Sequence, residues 1–272
     1  MPYEVSLTQA MRANLISLQL TSKLMSLTQQ RLATGKKVNS AMDDPVNYFA
    51  AQTHLTRAAD LASRKDGMSE AIQIVTAADK GITAINTLIE QAKGIATSAL
   101  ATSDTNSRAS YLTQFNTVMS QIINVAADSG YKGTNLLNGG SVDVKFNESG
   151  SSMLTVSGFY ATTLASIGLT FVAGEFTTDA GINTALARIG TASEILRTNS
   201  KTLAANLNVI TTRQDFTKDM IDTLKTGADN LTLADMNEES ANMLMLQTRQ
   251  SLGTTSLSMA SQAAQSVLRL FQ

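Results

Sequence analysis

Cysteine and tryptophan are absent from this chain of 272 residues, proline occurs twice and histidine once. Without cysteine there is no disulfide framework, no thiolate metal site and no thiol nucleophile. The same absence suits a chain that spends time unfolded, because it cannot cross-link. A single histidine, His54, leaves no His triad and no His-based metal cluster, and reads as a helix-surface residue. Charge is scarce as well: 16% of residues are charged against 43% apolar, and the net charge is -1. That balance gives nucleic acid and anionic membranes nothing to attract. Long apolar runs are missing, so no segment is expected to span or insert into a bilayer. The N-terminal stretch does not read as a cleaved signal peptide, because Arg12 and Lys23 interrupt it and no long apolar core is visible. Export, if it occurs, needs another route.

Catalytic patterns are missing too. No phosphate loop, dinucleotide fingerprint or nucleophile elbow is present, and "GKK" and "GYKG" are too short to count. The adjacent Asp43 and Asp44 stand at a helix start, where aspartate caps more often than it catalyses. Twelve methionines read as core filler. Asn147 in "NES" and Asn230 in "NLT" match a glycosylation triplet of a kind common by chance. No cofactor and no enzymatic activity are expected.

What fills the chain is helical periodicity. Residues from about 5 to 32 carry one stripe through Leu7, Met11, Leu18, Met25 and Leu32, with Asn14, Thr21 and Thr28 between. A second stripe, Ile16, Leu20, Leu24 and Leu27, lies on the opposite edge. A helix apolar on two sides has neighbours on two sides. Gly35 ends it, followed by Lys36 and Lys37. Asp44 and Pro45 then start a helix expected to reach Leu100, because aspartate satisfies free N–H groups and proline needs no donor at the first position. Its seam runs through Met68, Ile72, Val75, Ile82, Ile89, Ala92, Ala96 and Ala99. Gly67, Gly81 and Gly94 weaken the helix without ending it.

After a turn at 103–107, a third helix is expected from about Ser107 to Asp128, with Tyr111, Phe115, Val118, Ile122 and Val125 or Ala126 on one face. "DSGYKGTNLLNGG" is turn-rich. Alternation in "SVDVKF" and "LTVSGF" around "NESGSS" predicts a β-hairpin, and "LASIGLTFV" is expected to add short extended structure. From Asp179 a three-four seam runs through Ile182, Leu186, Ile189, Leu196, Leu203, Leu207, Ile210, Ile221, Leu224, Ala228 and Leu231, with Ser193, Ser200, Gln214 and Thr217 in the remaining places. This is a stripe of coiled-coil grade. "TLADMNEE" breaks it, and a last helix follows from about Ser240 to Phe271, with Arg269 as the one charged side chain beyond Gln250.

The fold class implied is mainly α: a long antiparallel helical coiled-coil bundle with paired N- and C-terminal helices and a small β-hairpin insertion. Each charge-poor end carries about a dozen sizeable apolar side chains. Burying one contributes roughly 1.5–3 kcal/mol, while ordering each backbone residue costs roughly 1–2 kcal/mol. A lone helix buries only part of that surface and is marginal in water. Both ends are therefore expected to be mobile alone, and to fold against each other and against other copies. A head-to-tail contact that does not close makes a filament. The side chains expected in self-association are Leu7, Met11, Leu18, Leu20, Leu24, Met25, Leu27 and Leu32 at one end. At the other they are Met245, Leu252, Met259, Val267, Leu268, Leu270 and Phe271.

Three stretches resemble bacterial flagellins. "RLATGKKVNSAMDDP" is similar to the family's Arg-Leu, small, Gly, basic, Asn-Ser-Ala, Asp-Asp segment. "DSGYKGTNLLNG" resembles its Tyr-x-Gly-x-x-Leu-Leu turn. "MLMLQTRQSLGTTSLSMASQAAQSVLRLF" resembles its Gln-rich C-terminal helix closing in Ser-Val-Leu-x-Leu. The resemblance implies three regions. Residues 1–44 with 236–272 would be inner helices lining a filament core. Residues 45–140 with 180–235 would be a helical rod, and 141–179 a short variable insertion giving a thin, smooth filament. Gly35, Lys36, Lys37, Asn39, Asp43, Asp44 and Pro45 would form the hinge, or spoke, between core and rod.

It further implies secretion through the flagellar type III channel to an extracellular filament that serves swimming. The implied partners are other copies of the chain, an export chaperone on the C-terminal helix, and hook-junction and cap proteins. Family members sensed by the vertebrate innate receptor carry "Gln-Arg-x-Arg-Glu-Leu" on the first rod helix. Here Gln91, Lys93 and Gly94 stand at the two Arg positions and the Glu, which implies weak sensing. A hook–filament junction protein of the same superfamily shares the "TGK…DDP" run and is the nearest alternative. A chemoreceptor-like signalling hairpin, rich in the same small polar residues, would lack the charge-poor ends and the insertion.

Overall fold

The computed structural model describes residues 9–171 and 174–270, with side chains described up to residue 266. Among these residues there are five helices: α1 (Gln9–Thr34), α2 (Pro45–Leu100), α3 (Thr105–Asp128), α4 (Asp179–Thr232) and α5 (Met236–Leu270). Between α3 and α4 lies a two-stranded antiparallel sheet of β1 (Ser141–Lys145) and β2 (Met153–Ser157). The chain divides into two compact units. Unit 1 is Met1–Thr56 with Leu224–Gln272, and unit 2 is Arg57–Thr223.

Unit 2 is built on the seams of α2 and α4. Met68, Val75, Ile82, Ile89, Ala92, Ala96 and Ala99 of α2 are buried, as are Ile182, Ile189, Leu196, Leu203 and Ile210 of α4. The two helices run antiparallel, and the polar seam residues set their register. Ser200 donates to Asp79 at 2.9 Å, and Gln214, farther along α4, donates to Ser69 at 2.6 Å. Polar groups on a seam keep their place only where a partner faces them. Helix α3 adds Phe115, Met119, Ile122 and Ala126 to this core. Phe115 meets the rings of Phe171 and Phe176 at centroid distances of 4.9 and 5.1 Å.

The hairpin pairs Val142 with Val156 and Val144 with Leu154. Val144 and Val156 face inward on alternate positions, as the period of a strand requires. Its turn is closed by Asn147, whose side-chain oxygen accepts from the Ser152 N–H at 3.1 Å. The amide group of Asn147 donates to Ser149 and Ser151. The turn-rich stretch before β1 does more than turn. Leu136 and Leu137 are fully buried, and Asn135 donates to the Ala126 and Ala127 carbonyls at the end of α3. Gly158 lets this loop close, since a Cβ there would lie 2.1 Å from the Leu136 carbonyl oxygen.

Two expectations need correction. Over its described residues, 164–171, "LASIGLTFV" forms no strand. Leu164–Ile167 is a 3₁₀ turn, closed by Gly168 in the left-handed region, whose N–H donates to the Ala165 and Leu164 carbonyls. Leu164 and Ile167, three apart, share a face in that geometry, and Ile167 is fully buried. The break at "TLADMNEE" is also shorter than the stretch expected. Only Leu233–Asp235 leave the helical path, because Asp235 accepts from the Asn237 and Glu238 N–H groups and restarts the helix at once.

Candidate functional site

In unit 1, α1 and α5 form an antiparallel pair. The stripe of Met11, Asn14, Leu18, Thr21, Met25, Thr28 and Leu32 turns inward, with Met11, Thr21 and Thr28 buried and the others half-buried. On α5 the matching positions are Glu239, Met243, Leu246, Gln250, Gly253, Leu257, Ala260 and Ala264. Both rows follow three-four spacing, so each keeps to one side of its helix. The pair is tied at one end by Arg31, which donates to a buried Glu239 at 2.8 Å. Farther along, Leu18 lies over Gly253. A Cβ on Gly253 would come within 2.7 Å of Leu18 Cδ2, so the helices approach here as closely as glycine allows.

The second stripe of α1 has no cover. Ile16 is 65% exposed, and Leu15, Leu20 and Leu24 are exposed beside it, with Leu27 half-buried. Helix α5 carries a comparable row: Met245, Leu252 and Met259 are exposed at seven-residue spacing, with Leu244 alongside. Near the start of α2, Met42, Val46 and Phe49 stand out from the surface as well. Most of the exposed large apolar side chains among the described residues belong to unit 1. In unit 2 they are Met153, Tyr160, Val209 and Phe216. Isolated exposed apolar residues are ordinary on a protein surface, whereas contiguous ones mark a surface made to be covered. Leu7 and Phe271 lie outside the described residues, as do the side chains of Val267, Leu268 and Leu270.

The hinge residues form a hydrogen-bonded crossing of two linkers. Gly35 adopts a left-handed φ of 69° that ends α1. The chain then runs antiparallel to the α4–α5 linker. Lys37 and Val38 N–H groups both donate to the Thr232 carbonyl, at 2.8 and 3.3 Å, and the Ala234 N–H donates to the Gly35 carbonyl at 3.0 Å. Val38 is buried under this crossing. Lys36 and Lys37 point to solvent, as does Pro45 at the first position of α2, and Asn39 donates its side-chain amide to the Lys36 carbonyl at 3.1 Å.

Asp43 and Asp44 divide their work. One oxygen of Asp43 accepts from the Ser40 N–H at 2.9 Å, the Asn39 N–H at 3.0 Å and the Ser40 hydroxyl at 3.1 Å. The Ser40 N–H, then the Asn39 N–H, hold its carboxyl below the ordinary aspartate range. Asp44 caps α2 by accepting from the Asn47 N–H at 3.1 Å and the Asn47 side-chain amide at 2.6 Å, in that order the causes of its own lowered pKa. Arg31, Lys37, Asp43, Asp235 and Glu238 line one polar cleft here. Among the described residues, no group of three or more His, Cys, Asp or Glu is placed to hold a metal, and no helix is long and apolar enough to cross a membrane. His54 is half-buried rather than a free surface residue, with its ring 3.8 Å from the place of a Cβ on Gly227.

Sequence reasoning missed Arg108. Its guanidinium is buried and donates to the Thr102 carbonyl at 2.7 Å, to the Thr177 carbonyl at 3.1 Å and to Asp179. It thus joins the turn before α3 to the start of α4. Gln91, Lys93 and Gly94 lie on the exposed side of α2.

Comparison with known proteins adds a second line of observation. Residues 5–141 match the bacterial flagellin N-terminal helical region, and residues 186–271 match the bacterial flagellin C-terminal helical region. Flagellin FljM of Caulobacter vibrioides is 30% identical over 262 residues, covering 94% of each chain. Flagellin FljK of the same organism is 31% identical over 258 residues, covering 93% of this chain and 92% of its own. A flagellin of Brucella melitensis is 29% identical over 267 residues, covering 94% of each. Among solved structures, a crystal structure of Bacillus cereus flagellin overlaps 56% of this chain and 88% of its own, with a TM-score of 0.49 and 15% identity.

Proposed function

Since this chain belongs to the bacterial flagellin family and is a structural subunit of the extracellular flagellar filament, we propose that unit 1 is the part that polymerises. The observation that carries this reading is the two-sided apolar character of α1 and α5. One side of each helix is taken up by the other, and the second sides of both remain open. Covering the open stripes of Ile16, Leu20 and Leu24 on α1 and of Met245, Leu252 and Met259 on α5 by neighbouring copies removes apolar surface from water at roughly 25 cal/mol per Å². The stripe on one helix differs from that on the other, which suits a heterologous contact, the kind that builds an open helical array when its rotation does not close.

In this reading residues 1–44 with 236–272 line the filament core, 45–140 with 180–235 form the surrounding rod, and 141–179 form the short outward insertion. Gly35, Lys36, Lys37, Asn39, Asp43, Asp44 and Pro45 are the spoke between core and rod. Supporting it are the linker hydrogen bonds, which give that crossing a defined geometry. The chain leaves the cell through the flagellar type III channel, and a chaperone shields the apolar row of α5 until then. Hook-junction and cap proteins meet the two ends of the filament through the same stripes.

Electron microscopy after salting out tests the reading. The full chain is expected to give long filaments. A variant with Ile16, Leu20 and Leu24 each changed to Ser is expected to give none at the same concentration, while keeping its helical circular dichroism. Filaments of normal length and yield from that variant would sink the assignment of the α1 stripe.

A further inference from the structure

Peroxides meet few soft targets in a chain without cysteine or tryptophan. Among its side chains, the thioether sulfurs of twelve methionines are the most readily oxidised by two electrons. The fold sorts these methionines sharply. Met68 and Met119 lie in the unit 2 core, and Met11 is buried on the inner stripe of α1. Met42, in contrast, is 95% exposed, Met259 59% and Met245 45%. All three stand within the uncovered apolar surface of unit 1. Met42 sits in the turn closed by Asp43, just before Val46 and Phe49, and Met245 and Met259 flank Leu252 on α5. Met153 on β2 is 48% exposed but belongs to unit 2, and Met236, 45% exposed, opens α5 in line with Glu239 and Met243, the row turned to α1, rather than with the outer stripe.

We propose that Met42, Met245 and Met259 are a set of oxidation sites whose conversion to sulfoxide holds the chain in its unassembled form. The proposal rests on the reading of unit 1 as the polymerising surface. The oxidant is a hydroperoxide, hydrogen peroxide in the simplest case. A sulfur lone pair attacks one peroxide oxygen, the O–O bond breaks, the S–O bond forms and water leaves. Sulfur loses two electrons and the peroxide gains them. The product is a polar, chiral group where an apolar, flexible one stood. Burying it against an apolar stripe opposes assembly, because a strong acceptor loses its water without gaining a donor. The converse also follows. Once neighbouring copies cover the stripes, the three sulfurs are out of peroxide's reach, so the assembled form resists the reaction that blocks assembly.

The test uses the purified full chain and hydrogen peroxide. Monomer and preformed filaments are exposed in parallel, and sulfoxide is quantified at each methionine by peptide mass spectrometry. Met42, Met245 and Met259 are expected to oxidise at least about tenfold more slowly in filaments than in monomer, while Met153 reacts alike in both. Oxidised monomer is expected to give about tenfold less filament at fixed concentration. A variant with Met42→Leu, Met245→Leu and Met259→Leu is expected to polymerise after peroxide as before it. Full filament yield from monomer carrying sulfoxide at all three positions would overturn the proposal, as would equal inhibition of the leucine variant. The site-resolved rates in the unsubstituted chain decide the matter if that variant folds poorly, and equal rates in both states would overturn it. Failure of the untreated chain to polymerise is a different result: it removes the filament reading itself.

Discussion

At the scale of single residues, two neighbouring aspartates show how much depends on which N–H groups a carboxylate meets. Asp43 gathers the Asn39 and Ser40 amides, and Asp44 gathers those of Asn47. Both carboxyls are held below their ordinary value. The folded hinge therefore takes up these protons less readily than the unfolded chain. Its contribution to stability is complete above about pH 4, the unperturbed aspartate value, and is lost as the pH falls through the lowered folded values. NMR of the Ser40 amide should show a titration with its midpoint below the ordinary aspartate value, and Asp43→Asn should abolish it. A midpoint at the ordinary value would contradict the role given to Asp43.

The capping by Asp44 was legible because Asp-Pro before a periodic run carries the geometry in two letters. Arg108 was not legible. Two of its three partners are backbone carbonyls, which every residue has, and the third, Asp179, is far away in sequence. The burial of Leu136 and Leu137 was hidden in the same way, since a run of glycines and asparagines around them speaks only of turns.

At the scale of elements, helix ends followed local chemistry, so they could be read. Proline at the start of α2 and glycine after α1 act within one turn, whereas Asp104 reads as part of a turn and in fact caps α3, which starts at Thr105 rather than at about Ser107. The seams could be read for a similar reason, as three-four spacing is a property of one chain segment. What stayed hidden were close approaches between segments. Gly81 reads as a weak point in α2, yet a Cβ there would meet Ser129 Oγ at 2.2 Å and Leu137 Cδ1 at 2.7 Å. Gly253 plays that part for the α1–α5 pair. Replacing it with leucine should cost the pair about 1–3 kcal/mol through overpacking against Leu18, and should suppress polymerisation while unit 2 unfolds at its usual denaturant concentration. Adding Leu18→Ala should recover part of the loss. Unchanged assembly of Gly253→Leu, followed by light scattering, would show that α1 and α5 do not stay paired at this point in the filament.

At the scale of the whole molecule, the two units differ in how they satisfy their apolar surface. Unit 2 closes a core around Phe115, Met68 and the α2–α4 seam, so it should fold without help. Unit 1 leaves much of its apolar surface open. A chain lacking residues 1–40 and 240–272 is therefore expected to remain helical, to melt cooperatively and to stay monomeric at concentrations where the full chain polymerises. Loss of the cooperative melt would mean that the ends are needed for folding as well as for assembly. This division was partly visible in the sequence, where charge thins toward both ends. The depth of the α1–α5 pairing was not, because two amphipathic helices do not announce in sequence which of their stripes they share.

The crossing of the two linkers has a mechanical meaning. Gly35–Val38 and Thr232–Ala234 run in opposite directions and are joined by backbone hydrogen bonds from Lys37, Val38 and Ala234. A pull on the α1–α5 pair is carried by both strands at once, and the bonds between them keep the strands in register so that they share the load. The junction thus behaves as a spliced cable, in which neither strand stretches without the other. A rotating propeller loads its subunits in this way on every turn.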